Sequence, residues 1–155
     1  MKNVKYEDNP LGNFKSKNNS IKSKDFISLC KENRSEHDEQ VEVVKYLERL
    51  GVAYTAIPNG GKRHKKTAVD LKREGVKAGY PDILIDEARK GYHGLRIEMK
   101  RRAKTLKSGK KSTSHTSVSE EQKKWIETLN KNGFLAVVCY GEDEAIEVIN
   151  EYFKK

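Results

Sequence analysis

Two apolar runs, Pro81-Asp82-Ile83-Leu84-Ile85 and Ile97-Glu98-Met99-Lys100, carry ionisable groups where a buried strand has no use for charge. In an extended chain successive side chains alternate between faces, so Glu98 and Lys100 share one face while Ile97 and Met99 share the other, which can enter a core. If the run around Asp82 lies beside that strand, two carboxylates and an ammonium converge on one spot. Hydrolysing a phosphodiester needs a nucleophilic water near neutral pH, a cation to offset charge on the phosphoryl oxygens, and help for the leaving oxygen. Asp82 and Glu98 can hold such a cation. Mg²⁺ takes oxygen ligands and keeps several waters, so these carboxylates with the Met99 backbone carbonyl make a half-shell. Lys100 can orient or deprotonate the attacking water: a nearby divalent cation and partial burial favour the neutral amine, and the carboxylates oppose it. The plainer alternative is that Lys100 only neutralises Glu98. Pro81 fixes the backbone entering its strand and brings no N–H, so Asp82 is expected to begin the strand where neighbouring backbone is still partly unpaired and open to a ligand.

The elements that must position these groups can be read from hydrophobic period and punctuation. Ser35 is a plausible N-cap with Asp38 three residues on, and Val43, Val44, Leu47 and Leu50 follow at helical spacing until Gly51. Val52 to Ile57 reads as a strand, Pro58 to Gly61 as a turn, and Thr67 to Glu74 as a short helix ended by Gly75. Asp82 to Ile85 and Leu95 to Lys100 form a hairpin through Gly91 to Gly94. Ser119-Glu120-Glu121-Gln122 is a capping box opening a helix with Trp125, Ile126 and Leu129 on one side. Phe134 to Tyr140 is an uninterrupted apolar run suited to a central strand, and Glu142 to Phe153 a closing amphipathic helix. The order α, β, (α), β, β, α, β, α makes an α/β sandwich with a mixed sheet.

The chain has 155 residues and a formal charge of +9, enough length for one domain and enough positive charge to imply a polyanionic partner. Residues 1 to 34 read as a basic, mostly disordered arm before a domain over 35–155. Arg101 to Ser117 reads as a mobile basic loop. No apolar run approaches the ~20 residues of a membrane-spanning helix, so an intracellular location is expected and no membrane partner. Cys30 and Cys139 have no metal-ligand spacing, and Cys139 reads as a buried reduced thiol. His37, His64, His93 and His115 match no zinc pattern. No Gly-rich phosphate loop is present, hence no nucleotide cofactor is expected.

A basic tract, Lys62, Arg63, Lys65, Lys66, Lys72, Arg73 and Lys77, follows Asn59-Gly60-Gly61, whose glycines let backbone approach a phosphate closely. With Arg101 and Arg102 it forms the candidate DNA-binding set. Taken singly, each such cation is as readily a solvated surface group, and Asn59 to Gly61 as readily a plain turn.

These segments together resemble the VRR-NUC branch of the PD-(D/E)XK nuclease superfamily. The blocks are Ser35-Glu36 with Gln40, Ile57 to Gly61, Gly75 to Ile83, Ile97 to Lys100 after fifteen residues following Asp82, and Ser119 to Gln122 leading to Trp125. The resemblance covers roughly residues 35 to 153. It implies a restriction-endonuclease-like αβββαβ core with helices flanking a mixed sheet, and a Mg²⁺- or Mn²⁺-dependent DNA endonuclease. Stand-alone members look like homodimeric enzymes cleaving branched DNA or Holliday junctions, in the cytoplasm of bacteria or phage-infected cells. A non-catalytic nucleic-acid-binding module on the same fold is the alternative. In the family a helix-borne glutamate completes the metal site. Helical geometry places Glu36 near the centre of the Val43, Leu47 and Leu50 face and Glu39 towards its edge, which favours Glu36. Gln122 is either the reciprocal half of its capping box or a contact to the scissile phosphate or attacking water, and Trp125 is core rather than a base-stacking platform.

Overall fold

The computed structural model describes residues 34–58, 65–105, 111–112 and 117–155; of the arm over 1–34 expected from the sequence, all but Arg34 lies outside them. Helix α1 spans Glu36–Leu50 and strand β1 Tyr54–Ala56. Helix α2 (Lys65–Arg73), β2 (Ile83–Ile85) and β3 (Leu95–Lys100) follow, then β4 (Lys104–Thr105), β5 (Lys111–Ser112), α3 (Glu120–Lys131), β6 (Leu135–Tyr140) and α4 (Glu142–Phe153). The main sheet has the order β1-β2-β3-β6. β1 and β3 flank β2 antiparallel, and β6 runs parallel to β3, so the sheet is mixed.

Alternation along β3 sorts the two faces. Leu95, Ile97 and Met99 have no exposure and pack with Ile83, Ile85 and Cys139 under Val43 and Leu47 of α1 and Ala145, Ile149 and Tyr152 of α4. Each fully buried aliphatic there contributes about 1.5–3 kcal/mol. The intervening residues Arg96, Glu98 and Lys100 are buried too, on the opposite face. The starts of α1 and α3 are fixed as their sequences specify. At Ser35 and at Ser119 the hydroxyl accepts from the N3 amide while the N3 side chain, Asp38 or Gln122, accepts from the cap N–H.

Three expectations change. Among the described residues the apolar run Leu135–Tyr140 is an edge strand and not a central one, because it pairs there only with β3. Its apolarity reflects burial beneath helices on both faces, α3 and α4, which does not require a second neighbouring strand. The stretch after β3 is not a bare loop, since Lys104–Thr105 pairs antiparallel with Lys111–Ser112 in a two-stranded ribbon. Backbone ladder bonds are indifferent to the polar composition that suggested a coil. On α1 the buried row is Glu39, Val43 and Leu47, with Leu50 43% exposed. A helical wheel orders residues around the axis but not along it, and Glu36 and Leu50 are the first and last residues of this helix.

Candidate active site

The register Ile83↔Ile97 carries Asp82 one step further along the hairpin, beside Glu98. Asp82 Oδ2 accepts a hydrogen bond from the Met99 amide at 2.9 Å, which pins the carboxylate against β3. The Asp82 carbonyl accepts from Ile57 N–H at 2.8 Å. The backbone at Asp82 is thus paired rather than open, because β1 extends the ladder past the strand end; the site is offered by the side chain.

Glu98 is 2% exposed and Lys100 is 8% exposed, and Lys100 Nζ donates to Glu98 Oε1 at 2.7 Å. Gln122 Nε2 donates to the same oxygen. Its amide oxygen accepts from the Ser119 N–H, so the cap fixes the amide orientation and leaves only donors facing the carboxylate. Gln122 therefore closes its capping box and reaches Glu98 with the other end of one amide. Glu98 Oε2 is different: it is buried and makes no hydrogen bond among the described residues. A buried carboxylate oxygen without a donor is costly unless something positive completes it.

Electrostatics agree. Burial, with Asp82 and Glu36 as nearby negative charges, raises the Glu98 carboxyl to about 7 against the opposing pull of Lys100. Glu36 acts on Glu98 only as a nearby charge, from the first residue of α1, and is itself exposed. Glu39 goes elsewhere. It is wholly buried, with its two oxygens held by Arg102 Nε at 2.9 Å and Nη2 at 3.0 Å. Asp82, Glu98 and Glu36 do not close into a three-carboxylate cluster, and no group of three His, Cys, Asp or Glu that could hold an ion is assembled among the described residues. Side by side stand two carboxylates, one of them with an orphaned oxygen, an all-oxygen set that fits a hard cation whose remaining positions water fills, and not a tetrahedral zinc.

The approach to Asp82 is held by contacts that sequence reading did not assign. Trp125 Nε1 donates to the Ala78 carbonyl at 3.1 Å and its ring meets Tyr80 edge-on at 4.9 Å, so Trp125 anchors the segment leading into Pro81-Asp82. Gly79 sits at φ +79°, and a Cβ there would come within 2.8 Å of Glu121 Cβ and 2.9 Å of the Gln122 backbone nitrogen. Because those are atoms of the helix start that positions Gln122, Gly79→Ala is expected to cost about 1–3 kcal/mol and to lower any activity of the site by about 10–100-fold. Thermal melting and turnover of the purified variant check both.

Of the candidate DNA-binding set, Asn59, Gly60, Gly61, Lys62 and Arg63 lie outside the described residues. Lys65 and Lys66 begin α2, and Lys77 is exposed beyond it. Arg101 is partly buried, with its Nε unpartnered among the described residues. Arg102 is taken up by Glu39 and, through Nη1, by Asp143 at 3.2 Å. Cys139 is a free, buried thiol whose pKa burial pushes up to about 12, which leaves it inert. No described helix is long and apolar enough to cross a membrane.

The VRR-NUC domain model matches residues 22–143. A solved structure described as a VRR_NUC domain protein is 36% identical, covers 79% of this chain and 90% of its own, and superposes with a TM-score of 0.58. No curated protein matches the chain. The match spans both charged strands, the helix of Glu36 and the capping box of Gln122, and the chain belongs to the VRR-NUC domain family, a nuclease-like domain family.

Proposed function

We propose that this protein is a divalent-metal-dependent DNA endonuclease, with Mg²⁺ or Mn²⁺ held by Asp82, Glu98 and the Met99 carbonyl and influenced by Glu36. The observation that carries the reading is the buried, donor-free Oε2 of Glu98 beside Asp82, in a domain of a nuclease-like family. When bound, the cation supplies Lewis-acid stabilisation of the phosphoryl oxygens and a more acidic water. The chain's own residues do the rest. Asp82 and Glu98 present oxygens from adjacent strands whose spacing the Met99 amide fixes. Gln122 locks Glu98 Oε1, which leaves Oε2 to face the ligand. Lys100 holds its amine at the same carboxylate, where it can orient a water for in-line attack and take up or return a proton at Nζ. The net charge of +9 draws the polyanion to the site.

Branched DNA is the proposed preferred substrate, cut by a homodimer that presents two such sites to two strands. The test is a panel of labelled linear, flap and four-way-junction DNA with Mg²⁺, Mn²⁺ or EDTA. Metal-dependent cleavage, strongest on the junction and paired across it, is expected. Binding without cleavage in any metal would make the chain a nucleic-acid-binding module, and cleavage that persists in EDTA would overturn the metal reading.

The Glu98 carboxyl gives a pH signature. Its folded pKa of about 7 lies above the ordinary carboxylate value, so the ion-free protein is favoured with Glu98 protonated. That stabilisation is fully present below about 4.5 and is lost as pH rises towards and through 7. A divalent cation must displace the same proton. Apparent Mn²⁺ affinity is therefore expected to be nearly level above pH 7 and to fall up to about tenfold per unit below it. Calorimetric titration at pH 6 and pH 8 checks this through the affinity and the protons released.

A further inference from the structure

We propose that Glu39 and Arg102 are positioning residues for the metal site, a clasp that sets where Glu36 stands relative to Glu98 and Lys100. This inference rests on the endonuclease reading, and it assigns Arg102 to the architecture of the site and not to the DNA surface.

Glu39 lies one turn after Glu36 on α1, and Arg102 two residues after Lys100 at the end of β3. The bidentate pair joins the carrier of the helix glutamate to the carrier of the strand carboxylate and amine. The same Glu39 carboxylate accepts from the Glu142 amide at 2.6 Å. Helix α4 is capped by Gly141 at φ +90° with no side chain to receive that N–H, so Glu39 caps it from another helix. A Cβ on Gly141 would collide with Glu39 Oε2 and with Arg102 Nη2, so the glycine is what makes room for the clasp. Arg102 also reaches Asp143, and Arg34 pairs with Glu142, which spreads positive charge around the acidic first turn of α4.

Stability alone does not call for this device. A buried ion pair is matched or exceeded in stability by well-packed apolar residues of similar volume, whereas a planar fork on a carboxylate fixes distance and angle together. What the fork fixes here is the approach of α1 to the end of β3, and with it the distance of Glu36 from the cation that Asp82 and Glu98 would hold. Supporting groups of this kind alter metal affinity by about 10–100-fold when changed.

Mn²⁺ binding to the full chain, read by the loss of the free-ion electron paramagnetic resonance signal at 10 °C, tests this without requiring turnover. Arg102→Lys keeps the charge but not the fork, Glu39→Gln keeps the shape but not the charge, and a Glu39→Gln/Arg102→Met double variant removes both charges. All are checked for a native circular dichroism spectrum. The expected result is Mn²⁺ binding weakened about 10–100-fold in each, including the double variant once its melting temperature recovers, while DNA affinity in EDTA stays within about twofold of wild type. Wild-type Mn²⁺ affinity in the folded double variant would show the clasp to be only structural and overturn the proposal. Reduced DNA affinity in EDTA with unchanged Mn²⁺ binding would return Arg102 to the DNA surface. Wild-type protein that binds no Mn²⁺ would defeat the endonuclease reading first and the clasp with it.

Discussion

Asp82→Asn is expected to lower metal-dependent DNA cleavage by on the order of 10³-fold while leaving the fold intact. The asparagine oxygen can still accept from the Met99 amide, the contact that pins this side chain to β3, so the hairpin register should persist. What disappears is a charge. Asp82 is one of the groups that keep the Glu98 carboxyl raised, and without it Glu98 ionises more readily but has no partner with which to share a dication. Glu98→Gln is expected to lose as much, because the orphaned Oε2 becomes an amide or its equivalent oxygen without charge. Since the two carboxylates act as a unit, Asp82→Asn/Glu98→Gln should be hardly worse than either single change. Single-turnover cleavage of end-labelled DNA in Mn²⁺, beside unchanged circular dichroism, checks all three. Full activity in either single variant would remove that carboxylate from the chemistry.

Much of this site could be read from local rules. The period of two along Leu95–Lys100 separates Glu98 and Lys100 from the core, the glycines after Arg89 signal a hairpin, and the hairpin brings Asp82 to Glu98. Ser119 and Gln122 announce a helix start three residues apart, and α4 is bounded as its amphipathic pattern predicts. All of these depend on neighbours in sequence or on one strand pairing. What was not legible depends on meetings between distant segments. Nothing around Glu39 marks it as the partner of Arg102, 63 residues away, and Arg102 sits in a run of cations that looks like a solvated face. The wheel of α1 put Glu39 at the edge of the apolar face, and it is the arrival of Arg102 and the α4 amide that buries it. Likewise the Trp125 indole finds its acceptor at Ala78, 47 residues back, and the number of neighbours of β6 is not encoded in how apolar it is.

The distinction between a surface cation and a structural one has a measurable size. Arg102→Ala would leave the carboxylate of Glu39, which has no solvent exposure, with only an amide donor for compensation. Removing one partner of a buried pair costs about 3–5 kcal/mol, because the remaining charge keeps its desolvation penalty and loses the attraction that offset it. For a domain of this length that is a fall of about 10 °C in melting temperature. Lys77→Ala, which removes an exposed cation of the same sign, should stay within about 0.5 kcal/mol. Adding Glu39→Ala to Arg102→Ala should cost less than the sum of the two single changes, since the second removal takes away the stranded charge. If instead Arg102→Ala melted like wild type and merely flattened the salt dependence of DNA binding, the guanidinium would be a phosphate ligand and the ion pair incidental. The full burial of Glu39, the fork geometry and the glycine that admits it all favour the large loss of stability.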